Sequence, residues 1–201
     1  GVGGSQQLNY KKKFYSHGVL GGSIALAAGL ALSLKKDNSK NIVACFIGDG
    51  AFGEGIVYET LNISSLLKLP LLIIVENNKI AQSTRLNDNL SGTISKRFDS
   101  FKIENCSINN YDIDKLIKAS SEFRSRIVKD KTVRTIIIDS VRLGPHSKGD
   151  DNRNKKEINN LLTKDPINAL LNKSKISLEK KKNIDFKISK KIEKITCEAI
   201  N

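Results

Sequence analysis

Short apolar runs alternate with longer stretches in which apolar residues recur every three or four positions. Residues 42–47 and 71–75 are apolar and rich in β-branched side chains, which is typical of buried strands. Between them, apolar positions recur at helical spacing from about residue 52 to residue 69, and Pro70 follows. A strand, a helix and a strand in this order predict a βαβ unit, with parallel strands and a right-handed crossover.

The same patterns predict further helices and strands before and after this βαβ unit. The Ala- and Leu-rich stretch 24–34 predicts a buried helix, for which Ser23 is a candidate N-cap. Residues 103–108 indicate a weaker strand, and residues 135–141 indicate a clear one. Between these strands, Asp112 predicts the start of a helix that runs to about residue 129. The residues expected on its inner face are Ile113, Leu116, Ile117, Phe123 and Ile127.

The last third of the chain is polar and predicted to be helical. Residues 142–154 indicate a polar loop, and two or three helices follow it. One helix is expected to begin at Asp165-Pro166, and Ser177 is expected to cap the last one. The pattern as a whole predicts an α/β protein with a parallel sheet flanked by helices. We expect an α/β domain over residues 1–150 and a helical extension of it over residues 151–201.

Composition and charge narrow the classes of partner. The 201 residues fit one domain with an extension, and the formal net charge is +13. Much of this charge lies in the last third, in runs such as Lys180-Lys181-Lys182, with few aromatic residues interleaved. That pattern favours a solvated helical face over a nucleic-acid surface. The longest apolar run is too short to span a bilayer, so we expect neither a nucleic-acid nor a membrane partner.

Three cysteines, Cys45, Cys106 and Cys197, are scattered and show no CxxC spacing. This argues against a disulfide framework or a zinc site and fits a reducing compartment, and we expect each cysteine to be a small buried hydrophobe. The sequence opens without a recognisable signal peptide, so we expect a cytoplasmic protein. It contains no Met and begins at Gly1, which fits either a piece of a longer protein or removal of an initiator Met.

Polar turns follow two of the predicted strands. Gly48-Asp49-Gly50 ends the first, and Asn77-Asn78 ends the second. Ligands of open parallel sheets bind beyond the carboxyl ends of the strands. A carboxylate and an amide oxygen suit Mg2+, and glycine backbone suits close approach of phosphate. Two ordinary structural roles stay open, namely Asp49 as a helix cap and Asn77-Asn78 as a simple turn.

These turns carry a resemblance to a known family. GDG, followed after residues 51–76 by NN, resembles the thiamine diphosphate motif. The longer pattern GDGAFGEGIVYETLN…LKLPLLIIVENN is similar to the alpha subunits of 2-oxo acid dehydrogenases and acetoin dehydrogenases. Gly3-Gly4-Ser5, the segment HGVLGGS and the late loop VRLGPHSKGDDNR occur in the family order. The resemblance covers nearly the whole chain and implies thiamine diphosphate and Mg2+ as cofactors.

The resemblance also assigns roles to individual residues. Asp49, Asn78 and the main-chain oxygen of Ile80 would bind Mg2+. His146 would be catalytic and cofactor-adjacent in a loop that closes over the site, with Arg142 and Ser147 beside it. Ser147 matches a serine that is phosphorylated in some mitochondrial relatives, but nothing else in the sequence supports regulation there. The residues expected near the diphosphate or the aminopyrimidine are Gly18, Leu20, Gly48, Gly50 and Ala51.

The implied activity is oxidative decarboxylation of a 2-oxo acid with acyl transfer to a lipoyl group. The family places an essential glutamate on a beta subunit, so we expect an α2β2 heterotetramer that works with a lipoyl-bearing acyltransferase. Two departures separate this chain from pyruvate dehydrogenases: Gln7 replaces a His, and Gly144-Pro145-His146-Ser147 replaces HGHS. The alternatives are acetoin dehydrogenase or another thiamine diphosphate lyase or transferase, and a non-catalytic fragment or partner-binding homologue.

Overall fold

The computed structural model describes residues 7–9, 13–16, 18–147, 149–174 and 176–200. Its centre is a four-stranded sheet in which every neighbouring pair is parallel. Two short antiparallel hairpins lie outside this sheet. The strands are β1 (Gln7–Asn9), β2 (Phe14–Ser16), β3 (Val43–Gly48), β4 (Leu71–Asn77), β5 (Ile80–Ala81), β6 (Thr84–Arg85), β7 (Glu104–Asn109) and β8 (Arg134–Asp139), and the central sheet has the order β3-β4-β8-β7. The predicted α/β class and parallel sheet are confirmed.

Eight α-helices and one 3-10 turn connect the strands in the described part of the chain. The turn covers Asp49–Gly53. The helices are α1 (Gly22–Lys36), α2 (Gly55–Leu66), α3 (Leu86–Asn89), α4 (Ile94–Ser100), α5 (Ile113–Asp130), α6 (Lys155–Leu162), α7 (Pro166–Ser174) and α8 (Leu178–Ile200). Among the described helices, none combines the length and the apolar character that crossing a bilayer requires.

The two faces of the sheet bury separate hydrophobic clusters because side chains alternate along each strand. Ile73 and Val75 of β4 belong to the larger cluster, which α1, α2 and α4 complete. Leu72 of β4 belongs to the smaller one, together with Phe123 and Ile127 of α5. Helices therefore cover both faces of the sheet, as an almost fully apolar β4 requires.

The parallel register brings the strand ends to one level. Gly48 pairs with Glu76, and Asp139 pairs with both Asn77 and Asn109. The residues that follow these positions therefore meet at one side of the sheet. We call this side the carboxyl edge, and it comprises residues 48–51, 77–80, 109–111 and 139–142.

Most predicted elements are confirmed, with corrections at their ends. Ser23 is not the cap of α1, because the helix starts at Gly22 after Gly21 adopts a left-handed φ of 71°. The predicted helix 52–69 is a 3-10 turn followed by α2, which ends at Leu66 before left-handed Lys68. Asp112 does cap α5, since its side chain accepts from the N–H of Lys115.

Three side-chain predictions are wrong. Ile113 and Ile117 were expected on the inner face of α5, but they are 37% and 62% exposed, and Leu116 packs against the smaller cluster instead. Cys197 is exposed rather than buried, since it lies on the solvated helix α8.

Three helices follow the polar loop, and Asp165 and Ser177 accept hydrogen bonds at the starts of α7 and α8, as predicted.

Some predictions lie outside the described residues. They concern Gly3-Gly4-Ser5, His17 and the side chain of Gln7. The division at residue 150 stays a prediction. The predicted extension, residues 151–201, contacts the α/β body through a bidentate ion pair. In this pair Arg85 Nη1 and Nη2 donate to the Glu157 carboxylate at 3.1 and 2.9 Å.

Candidate functional site

The Asp49 carboxylate is buried at the point where β3 ends. Strand β3 closes at Gly48 and the 3-10 turn begins at Asp49, which is only 2% exposed. Burial raises the pKa of this carboxyl group above its ordinary value. Main-chain N–H groups, including those of Lys79 and Gly50, donate to it and oppose that shift in pKa. The turn after β3 and the turn after β4 therefore converge on one acidic side chain.

One oxygen of this carboxylate lacks a partner. Asp49 Oδ2 is buried and accepts no hydrogen bond within the described part of the chain. Buried polar atoms are normally hydrogen-bonded, so an exception requires an explanation. A hard anionic oxygen with unused lone pairs is the kind of ligand that Mg2+ prefers. The second oxygen of Asp49 is thus suited to a cation, although main-chain N–H groups of the turn also donate to the carboxylate.

The end of β4 brings Asn78 and Ile80 to the same edge. Asn78 Oδ1 accepts from the N–H of Ile80 at 3.1 Å, across Lys79, which has a left-handed φ of 66°. The amide oxygen has a second lone pair, which this turn leaves for another donor or a cation. Asn77 Nδ2 donates to Asp139 Oδ1 at 2.9 Å, which ties the end of β4 to the end of β8.

Gly50 lies against the hairpin that follows Asn78. A Cβ atom on Gly50 would meet the Cβ of Ala81 at 2.5 Å, whereas a Cβ on Gly48 would meet nothing within 4 Å. The close contact explains why a residue without a side chain occupies position 50. The structure therefore brings together Asp49, Gly50, Asn78 and Ile80, four of the residues predicted for the site.

Gly18 and Leu20 lie in the exposed turn that opens α1. This turn reaches the start of α2, because a Cβ on Gly21 would come within 2.7 Å of Ile56 Cγ2. It therefore lies close to the chain that follows the Asp49 turn. The side chain of Ala51 points elsewhere: it is buried in the hydrophobic core.

The loop after β8 carries the predicted catalytic histidine. The side chain of His146 is 59% exposed, and its Nδ1 lies 3.6 Å from Asp150 Oδ2. Ser147 donates its N–H and its hydroxyl to the Asp150 carboxylate at 2.7 to 2.9 Å. These hydrogen bonds from Ser147 lower the pKa of Asp150. His146 and Ser147 are thus held by an acid that sequence reasoning did not single out.

Arg153 anchors this loop and was also missed. Its guanidinium donates to the carbonyl oxygens of Arg142 at 2.6 Å and Gly144 at 2.8 Å, and it pairs with Asp151 at 2.6 Å. These hydrogen bonds from Arg153 lower the pKa of Asp151 to about 2. The only sequence signal for Arg153 was the charged segment DDNR. Which of its side chains form ion pairs depends on the path of the folded loop.

A cleft of about 450 Å3 opens over the ends of β4, β8 and β7. Its lining includes Asn78, Lys79, Asp139, Arg142 and Lys164. The Nε, Nη1 and Nη2 atoms of Arg142 are buried and have no hydrogen-bond partner in the described chain. No group of three His, Cys, Asp or Glu side chains is placed to hold a metal among the described residues. A cation at the carboxyl edge would therefore depend on Asp49, on amide and main-chain oxygens, and on an anionic ligand.

Comparisons with known proteins find relatives over the whole chain. The family model described as "Dehydrogenase E1 component" matches residues 1–201. The pyruvate dehydrogenase E1 component subunit alpha of Rickettsia bellii is 31% identical over 100% of this chain, which covers 63% of that relative. The subunit of the same name from Rhizobium meliloti is 36% identical over 61% of this chain and 36% of its own length. The somatic mitochondrial form from Bos taurus is 29% identical over 96% of this chain and 51% of its own length.

A solved structure supports the same fold. A crystal structure of transketolase from Campylobacter jejuni aligns with a TM-score of 0.55 and 26% sequence identity, over 63% of this chain and 20% of the transketolase chain. The chain spans about 63% of the length of the first curated relatives that it matches. Since the family model covers every residue, the chain belongs to the dehydrogenase E1 component family.

Proposed function

We propose that this protein is the alpha subunit of a thiamine-diphosphate-dependent 2-oxo acid dehydrogenase. Membership in the family implies thiamine diphosphate as the cofactor. The observation that carries the proposal is the buried, unpartnered Oδ2 of Asp49 at the carboxyl edge, beside the turn that contains Asn78. Because the chain spans only part of its relatives, the activity, the substrate and the partners are all included in the proposal.

The residues present fit Mg2+ and a diphosphate. Asp49, the side-chain oxygen of Asn78 and the main-chain oxygen of Ile80 would hold the cation, and the diphosphate would supply further oxygens. The main chain at Gly48, Gly50 and Ala51 would lie against the phosphates. Gly18 and Leu20 would face the aminopyrimidine, from the turn that opens α1.

Thiamine diphosphate, when bound, supplies the carbon nucleophile and the electron sink for loss of carbon dioxide from a 2-oxo acid. The chain's own residues would hold the cofactor and handle protons. Asp150 lies beside Nδ1 of His146, so Nε2 remains for proton exchange with the substrate or with a lipoyl group. Arg153 would keep His146 near the carboxyl edge, because its guanidinium donates to the carbonyl oxygens of Arg142 and Gly144.

The partners follow from the same proposal. A beta subunit would complete the site in an α2β2 heterotetramer, and a lipoyl-bearing acyltransferase would accept the acyl group. The relatives' shared name, subunit alpha, supports a second kind of chain. We also propose a cytoplasmic location, supported by three free cysteines, and no nucleic-acid or membrane partner.

A second reaction class has support from the transketolase likeness. Acetoin cleavage or ketol transfer would use the same cofactor and the same edge. A panel of pyruvate, branched 2-oxo acids, acetoin and a ketose phosphate distinguishes them, measured with and without a lipoyl acceptor. Turnover of a 2-oxo acid that requires the acceptor supports the dehydrogenase. Absence of turnover by an assembled complex that binds the cofactor would instead identify a non-catalytic homologue.

Calorimetric titration of thiamine diphosphate, with and without Mg2+, tests the cofactor site in the protein co-purified with its beta subunit. We expect Asp49→Asn to weaken Mg2+-dependent binding by at least about 100-fold, because outer partners of metal ligands alone contribute about 10- to 100-fold. Asp114→Asn is the matched control, since that carboxylate is exposed on α5. Equal binding by the two variants would contradict the proposal.

A further inference from the structure

We propose that helix α8 is a docking surface for a partner helix whose own apolar stripe is bordered by glutamate or aspartate side chains. The inference goes beyond the proposed function, because it concerns the last described helix and does not depend on the cofactor. It rests on an apolar stripe that the body leaves uncovered and on a row of unpaired lysines beside that stripe.

Helix α8 presents its apolar residues to solvent. Of the side chains described in this helix, only that of Lys181 is half-buried, and the others are exposed. Ile184, Ile188, Ile192 and Ile195 recur at helical intervals, so they lie on one stripe of the helix. They are 44%, 52%, 58% and 53% exposed. Most helices in proteins are stabilised by packing such a face against another element, and the described body does not supply that element.

A row of lysines borders the isoleucine stripe on one side. Lys180 and Lys187 lie one helical turn before and after Ile184, and Lys191 lies one turn after Ile188. None of these three lysines forms an ion pair with a described residue. The stripe is therefore flanked by positive charge that the described chain leaves unpaired.

The acids of α8 do not neutralise this row. All but one are paired with other lysines of the helix, in the pairs Lys181–Asp185, Lys190–Glu193 and Lys194–Glu198. The remaining acid, Glu179, directly precedes Lys180 and therefore points about 100° away from it around the helix. The lysine row thus keeps its charge available for carboxylates on a partner.

A second copy of this helix fits the stripe poorly. In an antiparallel pair the same flank of both helices meets, so the two lysine rows would face each other and repel. In a parallel pair the row would face the opposite flank, where Asp185 is already paired with Lys181. Charge complementarity therefore favours a partner with free carboxylates over self-association.

The width of the stripe favours a helix over a lipid surface. The four isoleucines lie within about 80° of one another around the helix, which is the narrow seam that a partner helix covers. Phe186 lies outside this seam, beside Lys190 on the other side of the helix. A helix that lies in a membrane interface would bury its aromatic and aliphatic residues on one face. An acidic amphipathic helix therefore fits both the stripe and its flank.

Fluorescence anisotropy of labelled synthetic helices, titrated with the intact protein, tests this inference. The first peptide carries isoleucines at the same intervals with flanking glutamates, and the second replaces these glutamates with lysines. We expect the protein to bind the acidic peptide at least about tenfold more tightly than the basic one, because like charges oppose docking. The preference should shrink as salt is added, since exposed charges are screened.

Variants separate the stripe from its flank. Ile188→Gln should weaken binding of the acidic peptide by at least about tenfold, because a buried isoleucine contact is lost. Phe186→Gln is the matched control, an equally exposed apolar residue outside the stripe, and should leave this binding unchanged. Combined Lys187→Glu and Lys191→Glu should reverse the preference between the two peptides, an outcome that loss of folding cannot produce. Circular dichroism checks that each variant remains helical.

Equal binding of the two peptides, or binding of neither, would overturn the inference. Sedimentation velocity, and flotation with vesicles that contain phosphatidylglycerol, test the other occupants. A dimer that Ile188→Gln dissociates, formed without any peptide preference, would identify a second copy of the chain instead. Vesicle binding that Ile188→Gln abolishes, again without peptide preference, would identify a lipid surface instead. None of these results depends on thiamine diphosphate, so the proposed function is tested separately.

Discussion

At the scale of single residues, the carboxyl edge contains buried polar atoms that lower the stability of the ligand-free fold. Asp49 Oδ2, Asn77 Oδ1 and the nitrogens of Arg142 are all buried without partners in the described chain. Each such group costs about 1–3 kcal/mol of folding free energy, and charged groups cost more. The Asp49 charge is buried with one oxygen unpartnered, so neutralising it should stabilise the ligand-free protein.

Asp49→Asn should therefore raise the melting temperature of the ligand-free protein at neutral pH. Burial raises the pKa of Asp49 in the folded state above its unfolded value. Protonation of Asp49 stabilises the folded state fully when the pH lies below the pKa of this group in the unfolded state. This stabilisation is lost as the pH rises through the higher pKa of the folded state. Melting curves between pH 3 and pH 8 should show the advantage of the variant shrinking toward acidic pH. A constant difference would contradict this account, and Asp114→Asn should show no such trend.

Gly50→Ala should destabilise the protein by about 1–3 kcal/mol, because its Cβ would overlap the Cβ of Ala81 at 2.5 Å. Chemical denaturation measures the loss. Ala81→Gly in the same chain should restore much of it, since the obstructing atom is removed. Gly29→Ala is the control: nothing lies within 4 Å of its Cβ, and alanine in a helix interior should stabilise by about 0.5–1 kcal/mol. Equal effects of the two alanines would contradict the contact.

Sequence reasoning found some residues of the site and missed others for a physical reason. Asp49 and Asn78 directly follow apolar strands, so their positions at the carboxyl edge follow from the strand pattern alone. Arg142 was named only as a neighbour of His146. Its unusual state depends on which acids Ser147 and Arg153 engage, and that pairing is decided by the path of the loop.

At the scale of elements, the four strands of the central sheet were predicted, most clearly where burial on both faces leaves an uninterrupted apolar run. Strand β4 is the clearest case. The segment between β4 and β7 was not predicted, and it contains β5, β6, α3 and α4. These elements are short and largely polar. In α4 only Ile94 and Phe98 are buried, and two apolar positions are too few to reveal a helical repeat in the sequence.

The loop between β8 and α6 is expected to depend on one buried arginine. Arg153→Gln should free the carbonyl oxygens of Arg142 and Gly144 and leave Asp151 without its partner. Loss of these hydrogen bonds and of the ion pair should appear as local opening of the loop. Hydrogen exchange should be faster across residues 142–153 and unchanged in β4. Arg85→Gln removes an exposed pair and should leave hydrogen exchange across residues 142–153 nearly unchanged.

At the scale of the whole molecule, the stable body and the last helix are distinct. Ile184 and Ile192 of α8 are 44% and 58% exposed, and its ion pairs, such as Lys181–Asp185, lie within the helix. The body has its own core on both faces of the sheet. Phe46, on the edge strand β3, is 63% exposed, so one sheet face is also incompletely covered in the described chain.

Deletion of residues 178–201 should therefore change the unfolding free energy of the body by less than about 1 kcal/mol, because little apolar area is lost from the core. Ile127→Ala is the contrasting variant. Its side chain is fully buried in α5, and the substitution should cost about 2–5 kcal/mol. Denaturation followed by circular dichroism measures both. A loss on deletion as large as that of Ile127→Ala would show that α8 is part of the body.

If Asp49 binds the proposed cofactor through Mg2+, the amount of the protein in a cell depends on the supply of that cofactor. A ligand that binds only the folded state adds its binding energy to folding, by about 2.7 kcal/mol at a concentration one hundred times its dissociation constant. A cell short of the cofactor would hold a larger unfolded fraction, which proteases remove. Starvation for the vitamin precursor would then lower the amount of this polypeptide, in addition to leaving the remaining copies idle.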